Sequence, residues 1–225
     1  MRYALDSGGK RIRPILCLAV ADATRGAVET ALPAAAALEL VHTFSLVHDD
    51  LPALDDDAER RGRPSTHVLY GDGVAILAGD ALLAEAFRLA LSYDYPAIAR
   101  ELADATVGMI GGQHRDIAGD DDLAEVERLK TGRLFSASVG LALNAVGVPV
   151  GEQAPWRAFG DELGPLFQVV DDILDEDGFA ERLGADEARG LADAAAERAR
   201  KRLGSLSADT SVLRELVDGL AVRTF

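Results

Sequence analysis

The chain has 225 residues, 48% of them hydrophobic and 27% charged, with a formal net charge of -15 at pH 7. This length allows one large domain or two small ones, and the strong negative charge without a basic stripe argues against nucleic-acid and membrane-surface partners. Cys17 is the single cysteine, which excludes a disulfide framework and a cysteine zinc site and, with no apolar leader at the N-terminus, predicts a cytoplasmic protein.

Helical periodicity covers most of the chain and predicts an all-α protein without a convincing strand. In chain order the predicted helices span residues 14–25, 31–51, 74–92, 97–111, 122–146, 154–177, 185–204 and 209–222. Helices 31–51 and 154–177 are apolar on nearly all sides, so we expect both to be central. The apolar run 31–47 contains Glu39 and His42, and we predict that it is too short and too polar to cross a bilayer.

The first central helix runs into an acidic segment, LVHDDLPALDDDAERRGRP at 46–64. Asp49 and Asp55 would lie roughly 240° apart on an ideal helix. Pro52 removes a backbone donor, so we expect a kinked or widened turn that brings both carboxylates to the same side. The segment then reverses its charge at two adjacent arginines.

The second central helix ends in a similar cluster, FQVVDDILD at 167–175. Asp171 and Asp175 are four residues apart and share one helical face, with Asp172 beside them. Buried neighbouring carboxylates need cations, and Mg²⁺ commonly takes one or two carboxylates together with phosphate oxygens. A solvated acidic helix end is the alternative for either cluster alone. Two clusters on two central helices instead predict facing sites for several Mg²⁺ ions that hold a diphosphate.

Basic residues in three short motifs could supply further phosphate contacts. Arginine suits bidentate phosphate binding, and lysine acts as a point charge. Each residue alone is more often a surface charge, but two of the three lysines fall in these glycine-flanked motifs. The candidates are Lys10, Arg11 and Arg13 in GGKRIRP, Arg60 and Arg61 after the first cluster, and Lys130 with Thr131 in ERLKTGR.

Together the motifs resemble those of the trans-isoprenyl diphosphate synthases of the polyprenyl synthetase family, close to the bacterial farnesyl diphosphate synthases. They occur in family order between residues 8 and 175, and they are GGKRIRP, LELVHTFSLVHDDLPALDDDAERRGRP, AILAGDALL, GGQHRDI, LKTG and FQVVDDILD. The resemblance implies one isoprenyl synthase domain over 1–225, with an isoprenoid synthase-type bundle of antiparallel helices around a deep central cavity. It also implies a homodimer, while the charge and the short apolar runs predict no nucleic-acid partner and no stable membrane insertion.

The resemblance implies that both aspartate clusters bind metal. Asp49 and Asp55, with Asp50 close by, would bind Mg²⁺ on the allylic diphosphate. Asp171, supported by Asp172 and Asp175, would bind a further ion. The implied cofactor is three Mg²⁺ ions, which Mn²⁺ could replace.

The resemblance assigns the remaining motif residues to the two substrates, isopentenyl diphosphate and an allylic diphosphate. Arg60 and Lys130 would bind the allylic diphosphate, and Lys10, Arg13, His42 and Arg61 would bind isopentenyl diphosphate. The catalytic candidates are Lys130 together with Thr131 and Gln168, which would lie at the reacting carbons and stabilise developing positive charge. Gln113 and Asp116 would line the cavity.

The implied reaction is a head-to-tail condensation of isopentenyl diphosphate with dimethylallyl or geranyl diphosphate. Ionisation of the allylic substrate requires neutralisation of its leaving group, and the resulting cation requires a dry apolar pocket. In the family, a bulky residue five positions before the first aspartate blocks the growing tail. Here it is Phe44, followed by Ser45, which predicts farnesyl diphosphate as product. A purely structural Phe44 and a geranylgeranyl product are the alternatives.

Two departures from the family pattern concern missing segments. The chain begins almost at GGKR, so we expect N-terminal helix material to be absent from this sequence. A lysine- and glycine-rich loop and a Thr-Pro segment are also missing near 184–185. Either loops were left out of the sequence or the chain is truncated. Because that loop normally closes the active site, a true deletion would put activity in doubt.

Three other functions compete with this interpretation. A terpene cyclase would lack GGKRIRP and the second aspartate motif, and both are present. A non-catalytic subunit of a heteromeric prenyl synthase would have lost one aspartate motif, yet the missing loop keeps this alternative open. A metal-dependent phosphohydrolase would need more histidine ligands than His42, His67 and His114 supply, and we interpret His48 as structural.

Overall fold

Helices form nearly all regular structure in the computed structural model, which describes residues 1–176 and 178–222 and confirms the all-α fold. In chain order the α-helices are α1 Arg2–Leu5, α2 Ile12–Ala23, α3 Val28–Asp49, α4 Thr66–Tyr70, α5 Asp72–Ala90, α6 Ala97–Ile117, α7 Leu123–Glu127, α8 Arg133–Ala145, α9 Val150–Asp175, α10 Gly178–Leu183, α11 Ala185–Gly204 and α12 Ser211–Ala221. A π-helical turn, Arg128–Gly132, joins α7 to α8. Strands β1 Glu59–Arg60 and β2 Arg63–Pro64 form a small antiparallel hairpin.

The two long apolar helices lie on either side of α8. Helix α3 packs against α2, α5 and α8, and α9 packs against α8 and α11. Alanines such as Ala31, Ala34 and Ala37 on α3 are completely buried, and their small side chains allow close packing of the helices. The acidic C-terminal ends of α3 and α9 therefore both approach the π-helical turn that precedes α8.

The length and composition of α3 contradict the prediction that its apolar segment is too short and too polar to cross a membrane. It has 22 residues and is long and apolar enough to cross a bilayer by length and composition. More than half of the relevant window is buried inside the bundle, and a core helix has the same composition. We therefore interpret α3 as the central helix of the core.

Several element boundaries also differ from the predicted ones. The predicted helix 122–146 is divided into α7, the π-helical turn and α8. The predicted helix 97–111 continues to Ile117, past Gly111 and Gly112. The hairpin and the short helices α1, α4 and α10 were not predicted, because elements of two to six residues carry too little periodicity.

Candidate active site

One cavity of about 600 Å³ brings the two aspartate clusters together. The ends of α3 and α9 supply carboxylates from opposite sides, and cationic side chains complete the wall. We call this space the central cavity. Its acidic lining residues are Asp49, Asp55, Asp116, Glu127, Asp171, Asp172 and Asp175, and its basic ones are Arg13, Arg60, Arg61 and Lys130. His42, Thr131 and Gln168 also line it.

The widened turn predicted after α3 is present. The helix ends at Asp49, and the backbone N–H of Asp55 donates to the Asp49 carbonyl at 2.9 Å across a loop that contains Pro52. Asp56 adopts a left-handed conformation with φ of 53°, which helps the chain to reverse. Both carboxylates consequently face the central cavity. Burial raises the pKa of Asp49 to about 6, with Asp55 adding to the effect and Lys130 opposing it.

Asp50 departs from the prediction that places it among the metal ligands. It does not line the central cavity and is only 3% exposed. Its Oδ1 accepts a hydrogen bond from Arg60 Nε at 2.5 Å, and Arg60 also donates to Asp57 at 3.0 Å. Adjacent residues on a helix point about 100° apart, so Asp50 turns away when Asp49 faces the cavity. Asp50 therefore orients Arg60.

The π-helical turn places Lys130 and Thr131 at the base of the cavity. Two glycines allow the turn to pack closely: a Cβ at Gly112 of α6 would overlap the backbone of Lys130, and one at Gly164 of α9 would overlap Gly132. Lys130 Nζ lies 2.6 Å from Asp116 Oδ2. The glycines thus allow α6 and α9 to pack closely against the same turn.

A chain of hydrogen bonds connects the turn to α9 and α10. The Thr131 hydroxyl donates to Gln168 Oε1 at 2.9 Å, and Gln168 Nε2 donates to Asp172 Oδ1 at 2.6 Å. Asp172 Oδ2 accepts from the backbone N–H of Phe179 at 2.8 Å, and Asp172 is only 3% exposed. This pattern fits Asp172 as a support for Gln168 and α10, with Asp171 beside it on the cavity wall.

Glu127 is a site residue that the sequence argument missed. It lines the central cavity, and its Oε2 lies 3.3 Å from the Thr131 hydroxyl. Burial raises the pKa of Glu127 to about 7, with Asp172 among the further causes. Because Thr131 has one proton and gives it to Gln168, a protonated Glu127 is the form that can donate to Thr131. The four-residue spacing between Glu127 and Thr131, which places both on one helical face, was the signal that could have identified Glu127.

A second pocket of about 410 Å³ adjoins the central cavity and collects the predicted isopentenyl diphosphate residues. We call it the basic pocket, and its polar lining consists of Lys10, Arg11, Arg13, Glu39, His42 and Arg61. Arg61 Nη1 donates to the Gly8 carbonyl at 2.6 Å, and a Cβ at Gly9 would overlap the Arg61 guanidinium. Gly9 has φ of 116°, so the glycine pair supplies both the conformation and the room for Arg61.

Arg13 and His42 differ in charge within the basic pocket. Arg13 lies 4.6 Å above the Phe135 ring, and burial lowers its pKa to about 10, so it remains cationic. Burial and then the nearby arginines, Arg13 foremost, lower the pKa of His42 well below its ordinary value. His42 is therefore a neutral imidazole at physiological pH, able to offer a hydrogen bond but no charge.

Arg11 has a role different from that of the other cations in its motif. Its guanidinium pairs with Glu39 and also donates to the Leu5 carbonyl at 2.5 Å. Its backbone is left-handed, with φ of 52°, at the start of α2. The contacts tie the GGKR loop to α3, so Arg11 acts as a structural anchor of the basic pocket.

A third pocket of about 340 Å³ leads away from the central cavity between α3 and α6, and we call it the tail pocket. Phe44, Ser45 and His48 line it from α3, and Asp49 and Lys130 border it as well as the central cavity. From α6 come mostly apolar residues, namely Met109, Ile110, Gln113, His114 and Ile117. Among the residues described, neither amide atom of Gln113 has a hydrogen-bond partner. Asp116, in the same motif, faces the central cavity.

The chain matches the family model described as polyprenyl synthetase over residues 1–194. It is 33% identical to the farnesyl diphosphate synthase of Bacillus subtilis, in an alignment that covers 99% of this chain and 87% of that enzyme. That alignment spans 258 positions, so the relative has residues without a counterpart in this 225-residue chain.

Geranylgeranyl diphosphate synthases are also similar to this chain, some at higher sequence identity. The geranylgeranyl diphosphate synthase of Cyanophora paradoxa is 42% identical, over 82% of this chain and 67% of that enzyme. The chain spans only 54% of the length of geranylgeranyl pyrophosphate synthase 4 of Arabidopsis thaliana, also 42% identical.

A solved geranyltransferase structure from Legionella pneumophila superimposes with a TM-score of 0.91 at 35% identity, covering 99% of this chain and 86% of that one. Farnesyl and geranylgeranyl synthases thus both occur among the relatives, and the fold agrees with a solved transferase. With the family model matched over residues 1–194 and these relatives aligned along it, the chain belongs to the polyprenyl synthetase family.

Proposed function

We propose that the chain is a head-to-tail prenyltransferase that condenses isopentenyl diphosphate with dimethylallyl or geranyl diphosphate. The observation that carries the proposal is the junction of three spaces: an acidic central cavity, a basic pocket and an apolar tail pocket. Each suits one part of the reaction, namely the metal-bound allylic diphosphate, the second diphosphate and the hydrocarbon tail.

The central cavity fits a divalent metal cofactor that is shared with the substrate. Asp49 and Asp55 would hold ions on one side and Asp171 and Asp175 on the other; we expect three Mg²⁺ ions, which Mn²⁺ could replace. No cluster of three metal-ligating side chains occurs within residues 1–176 and 178–222. Mg²⁺ commonly takes one or two carboxylates together with phosphate oxygens. When bound, the metal would supply Lewis-acid neutralisation of the leaving diphosphate.

Protein cations would share the stabilisation of both diphosphates. Arg60 and Lys130 face the central cavity, where the allylic diphosphate would bind. Lys10 and Arg13, with Arg61, would hold isopentenyl diphosphate, and neutral His42 would add a hydrogen bond. Arg13 and Arg61 border both spaces, so the two substrates would be held next to each other in the geometry for coupling.

The reacting carbons would lie beside Thr131 and Gln168. The Thr131 hydroxyl donates to Gln168 Oε1, and Gln168 Nε2 donates to Asp172, so both oxygens would stabilise developing positive charge without reorganising. The apolar tail pocket would exclude the water that quenches an allylic cation. The proton released after coupling would go to the departed diphosphate, so no dedicated protein base is required.

Product length is proposed to be set by Phe44 at the wall of the tail pocket, with Ser45 next to it. Phe44 is only 7% exposed and lines the pocket together with Met109 and Gln113. A bulky aromatic ring there would stop the tail at the C15 length, which makes farnesyl diphosphate the proposed product. Geranylgeranyl diphosphate is the second candidate, because the Cyanophora relative is named for that activity.

A homodimer in the cytoplasm is the proposed state of the protein. Apolar side chains that a monomer would leave exposed lie on the neighbouring helices α5 and α6. On α5 they are Val74, Ile76 and Leu77, and on α6 Val107, Ile110 and Ile117. We call this set the apolar face and assign it to contact with a second copy. A lone buried thiol, Cys17, is compatible with a reducing cytoplasm.

A product assay tests the proposal directly. The protein is incubated with Mg²⁺, isopentenyl diphosphate and, separately, dimethylallyl, geranyl or farnesyl diphosphate, and the products are identified by mass. Accumulation of C15 that is not extended supports the farnesyl assignment, and Phe44→Ala should then give longer products. A C20 product would support the prenyl-transfer reaction and refute the proposal that Phe44 stops the tail at C15. No product with any primer would favour a non-catalytic subunit of a heteromeric synthase.

A further inference from the structure

We propose that His48, seated against Gly79, is a positioning residue that holds Phe44 in place and thereby sets the depth of the tail pocket. The inference rests on the proposed product-length role of Phe44 and adds a second layer to it. His48 does not need to bind metal or diphosphate for this role, although it directly precedes Asp49. It lines the tail pocket from α3, one helical turn after Phe44.

His48 is fixed to α5 by close packing. Its Nε2 lies 3.1 Å from the Ile76 carbonyl oxygen, so the proton on that nitrogen is donated to the backbone. A Cβ at Gly79 would overlap the imidazole ring. Gly79 therefore leaves a recess on α5 that is shaped for His48, and no other amino acid can stand at 79 while the ring remains there.

The imidazole in turn contacts the side chain that is proposed to stop the growing product. The ring centroids of Phe44 and His48 are 4.9 Å apart at an interplanar angle of 76°, an edge-to-face contact. The residues are four positions apart on α3, so they lie above one another on one face. Phe44 thus packs against His48, and His48 packs against the α5 backbone.

Removal of the imidazole would leave Phe44 without this support. The vacated space would be bordered by Gly79, which has no side chain to fill it, so the phenyl ring could turn into it. Either that movement or direct entry of the hydrocarbon would deepen the tail pocket. A difference of one methylene in the fit of a hydrophobic pocket changes discrimination by about 10- to 200-fold.

The first test measures the C20:C15 product ratio with geranyl diphosphate as primer. We expect His48→Ala to raise the ratio about ten-fold or more, in the same direction as Phe44→Ala. His48→Leu keeps a bulky side chain beside Phe44 without the hydrogen bond, so its ratio should remain close to that of the wild type. This pair separates support by bulk from any role of the imidazole in proton transfer or metal binding.

The second test uses the complementary side of the contact. Gly79→Ala should push the imidazole towards Phe44, make the pocket shallower and lower the yield of C15 relative to C10 with dimethylallyl diphosphate as primer. In the double variant His48→Ala/Gly79→Ala, the new methyl group fills part of the vacated space. The double variant should therefore return towards the wild-type product distribution, a non-additive result that independent sites do not give. Gly73→Ala, also on α5 but with open space around it, is the matched control.

The outcomes separate this inference from the proposed function. A wild-type protein that makes no prenyl product refutes the proposed function itself. If Phe44→Ala lengthens the product and His48→Ala leaves the C20:C15 ratio unchanged, the positioning role of His48 is refuted. The proposal that Phe44 limits product length would still hold. If His48→Ala unfolds, the Gly79→Ala variant decides: an unchanged C15:C10 ratio at wild-type melting temperature refutes the inference, and a shifted ratio supports it.

Discussion

Asp49 and Glu127 are two carboxylates of the central cavity whose ionisation burial disfavours. Burial raises the pKa of Asp49 to about 6 and that of Glu127 to about 7. A carboxyl group with a raised pKa weakens folding as it ionises, so its cost is small at low pH and grows as pH rises through the folded-state value. A bound Mg²⁺ ion would reverse this effect at a carboxyl group that ligates it, because a metal ligand must be deprotonated.

Asp49→Asn should therefore stabilise the metal-free protein at pH 8. The expected gain is about 1–2 kcal/mol, less than the full pKa difference because the side chain keeps some contact with solvent. It corresponds to a rise in melting temperature of about 2–8 °C and should shrink as pH is lowered to 5. Thermal unfolding in EDTA at both pH values measures it. An equal gain at both pH values would show that relief of charge burial is not the cause.

The same substitution should reduce prenyl transfer, because the proposed metal ligand is lost. We expect a fall in kcat of about 10²- to 10³-fold, the size typical of losing one group that stabilises transition-state charge. Asp56→Asn is the control, since Asp56 lies outside the central cavity and asparagine tolerates its left-handed backbone. Steady-state kinetics at saturating Mg²⁺ would measure both. Wild-type kcat in Asp49→Asn would remove Asp49 from the metal site.

Asp171 and Asp172 are neighbours with different expected phenotypes. Asp171→Asn should raise the Mg²⁺ concentration needed for half-maximal activity, because Asp171 is the proposed ligand. Asp172→Ala should lower kcat with a nearly unchanged Mg²⁺ requirement and cost about 1–3 kcal/mol of stability, since Gln168 Nε2 loses its acceptor. A Mg²⁺ titration of activity distinguishes them. Equal shifts in Mg²⁺ requirement would make Asp172 a ligand as well.

At the scale of elements, the π-helical turn is the part of the site most sensitive to packing. It lies between Gly112 of α6 and Gly164 of α9, and its Lys130 and Thr131 line the central cavity. A methyl group at Gly112 would overlap the backbone of Lys130, which cannot move aside as a flexible side chain can. Gly111, one residue earlier, has open space around it.

Gly112→Ala should therefore lower kcat by at least about ten-fold and reduce the melting temperature, as overpacking commonly costs about 1–3 kcal/mol. Gly111→Ala should leave kcat unchanged and raise stability by up to about 1 kcal/mol, because alanine is the better helix former. Circular-dichroism melting and steady-state kinetics of the two variants provide the comparison. Wild-type kcat in Gly112→Ala would mean that the turn tolerates displacement.

Long amphipathic and apolar helices were the elements that sequence reasoning could predict. The predicted ends of these helices lie within a few residues of the observed ends, because many turns contribute to the helical pattern. The predicted helix 154–177, for example, is observed as Val150–Asp175. The division of 122–146 was missed, since the π-helical turn depends on close contact with α6 and α9 rather than on local residues. The hairpin at 59–64 was missed for its length.

The sequence predicts the site residues that belong to a motif. It does not predict which way a side chain points once the helices are packed. The position of Asp55 beside Asp49 was predictable because Pro52 must interrupt the helix. Asp50 could not be separated from Asp49 by residue type, and only the geometry shows it turned towards Arg60. Glu127 belongs to no recognised pattern, and its importance follows from burial against Thr131.

For the whole molecule, the apolar face of α5 and α6 is the feature that a monomer does not explain. Leu77 is 68% exposed and Val107 is 70% exposed. Val107, Ile110 and Ile117 follow helical spacing along one side of α6, and Ile110 and Ile117 also border the tail pocket. A second copy on this face would cover that border and help to keep the pocket dry.

Leu77→Glu combined with Val107→Glu should accordingly convert the proposed dimer into a monomer, because each carboxylate would be buried without a partner at the interface. Light scattering coupled to size-exclusion chromatography gives the mass, and Leu191→Glu, an exposed apolar position on α11 away from this face, is the control. The monomeric variant should retain its helix content and lose prenyl transfer efficiency, with more alcohol released from the allylic substrate as water enters. A wild-type protein that is monomeric at assay concentration would contradict the dimer, and an unaltered mass in the double variant would locate the interface elsewhere.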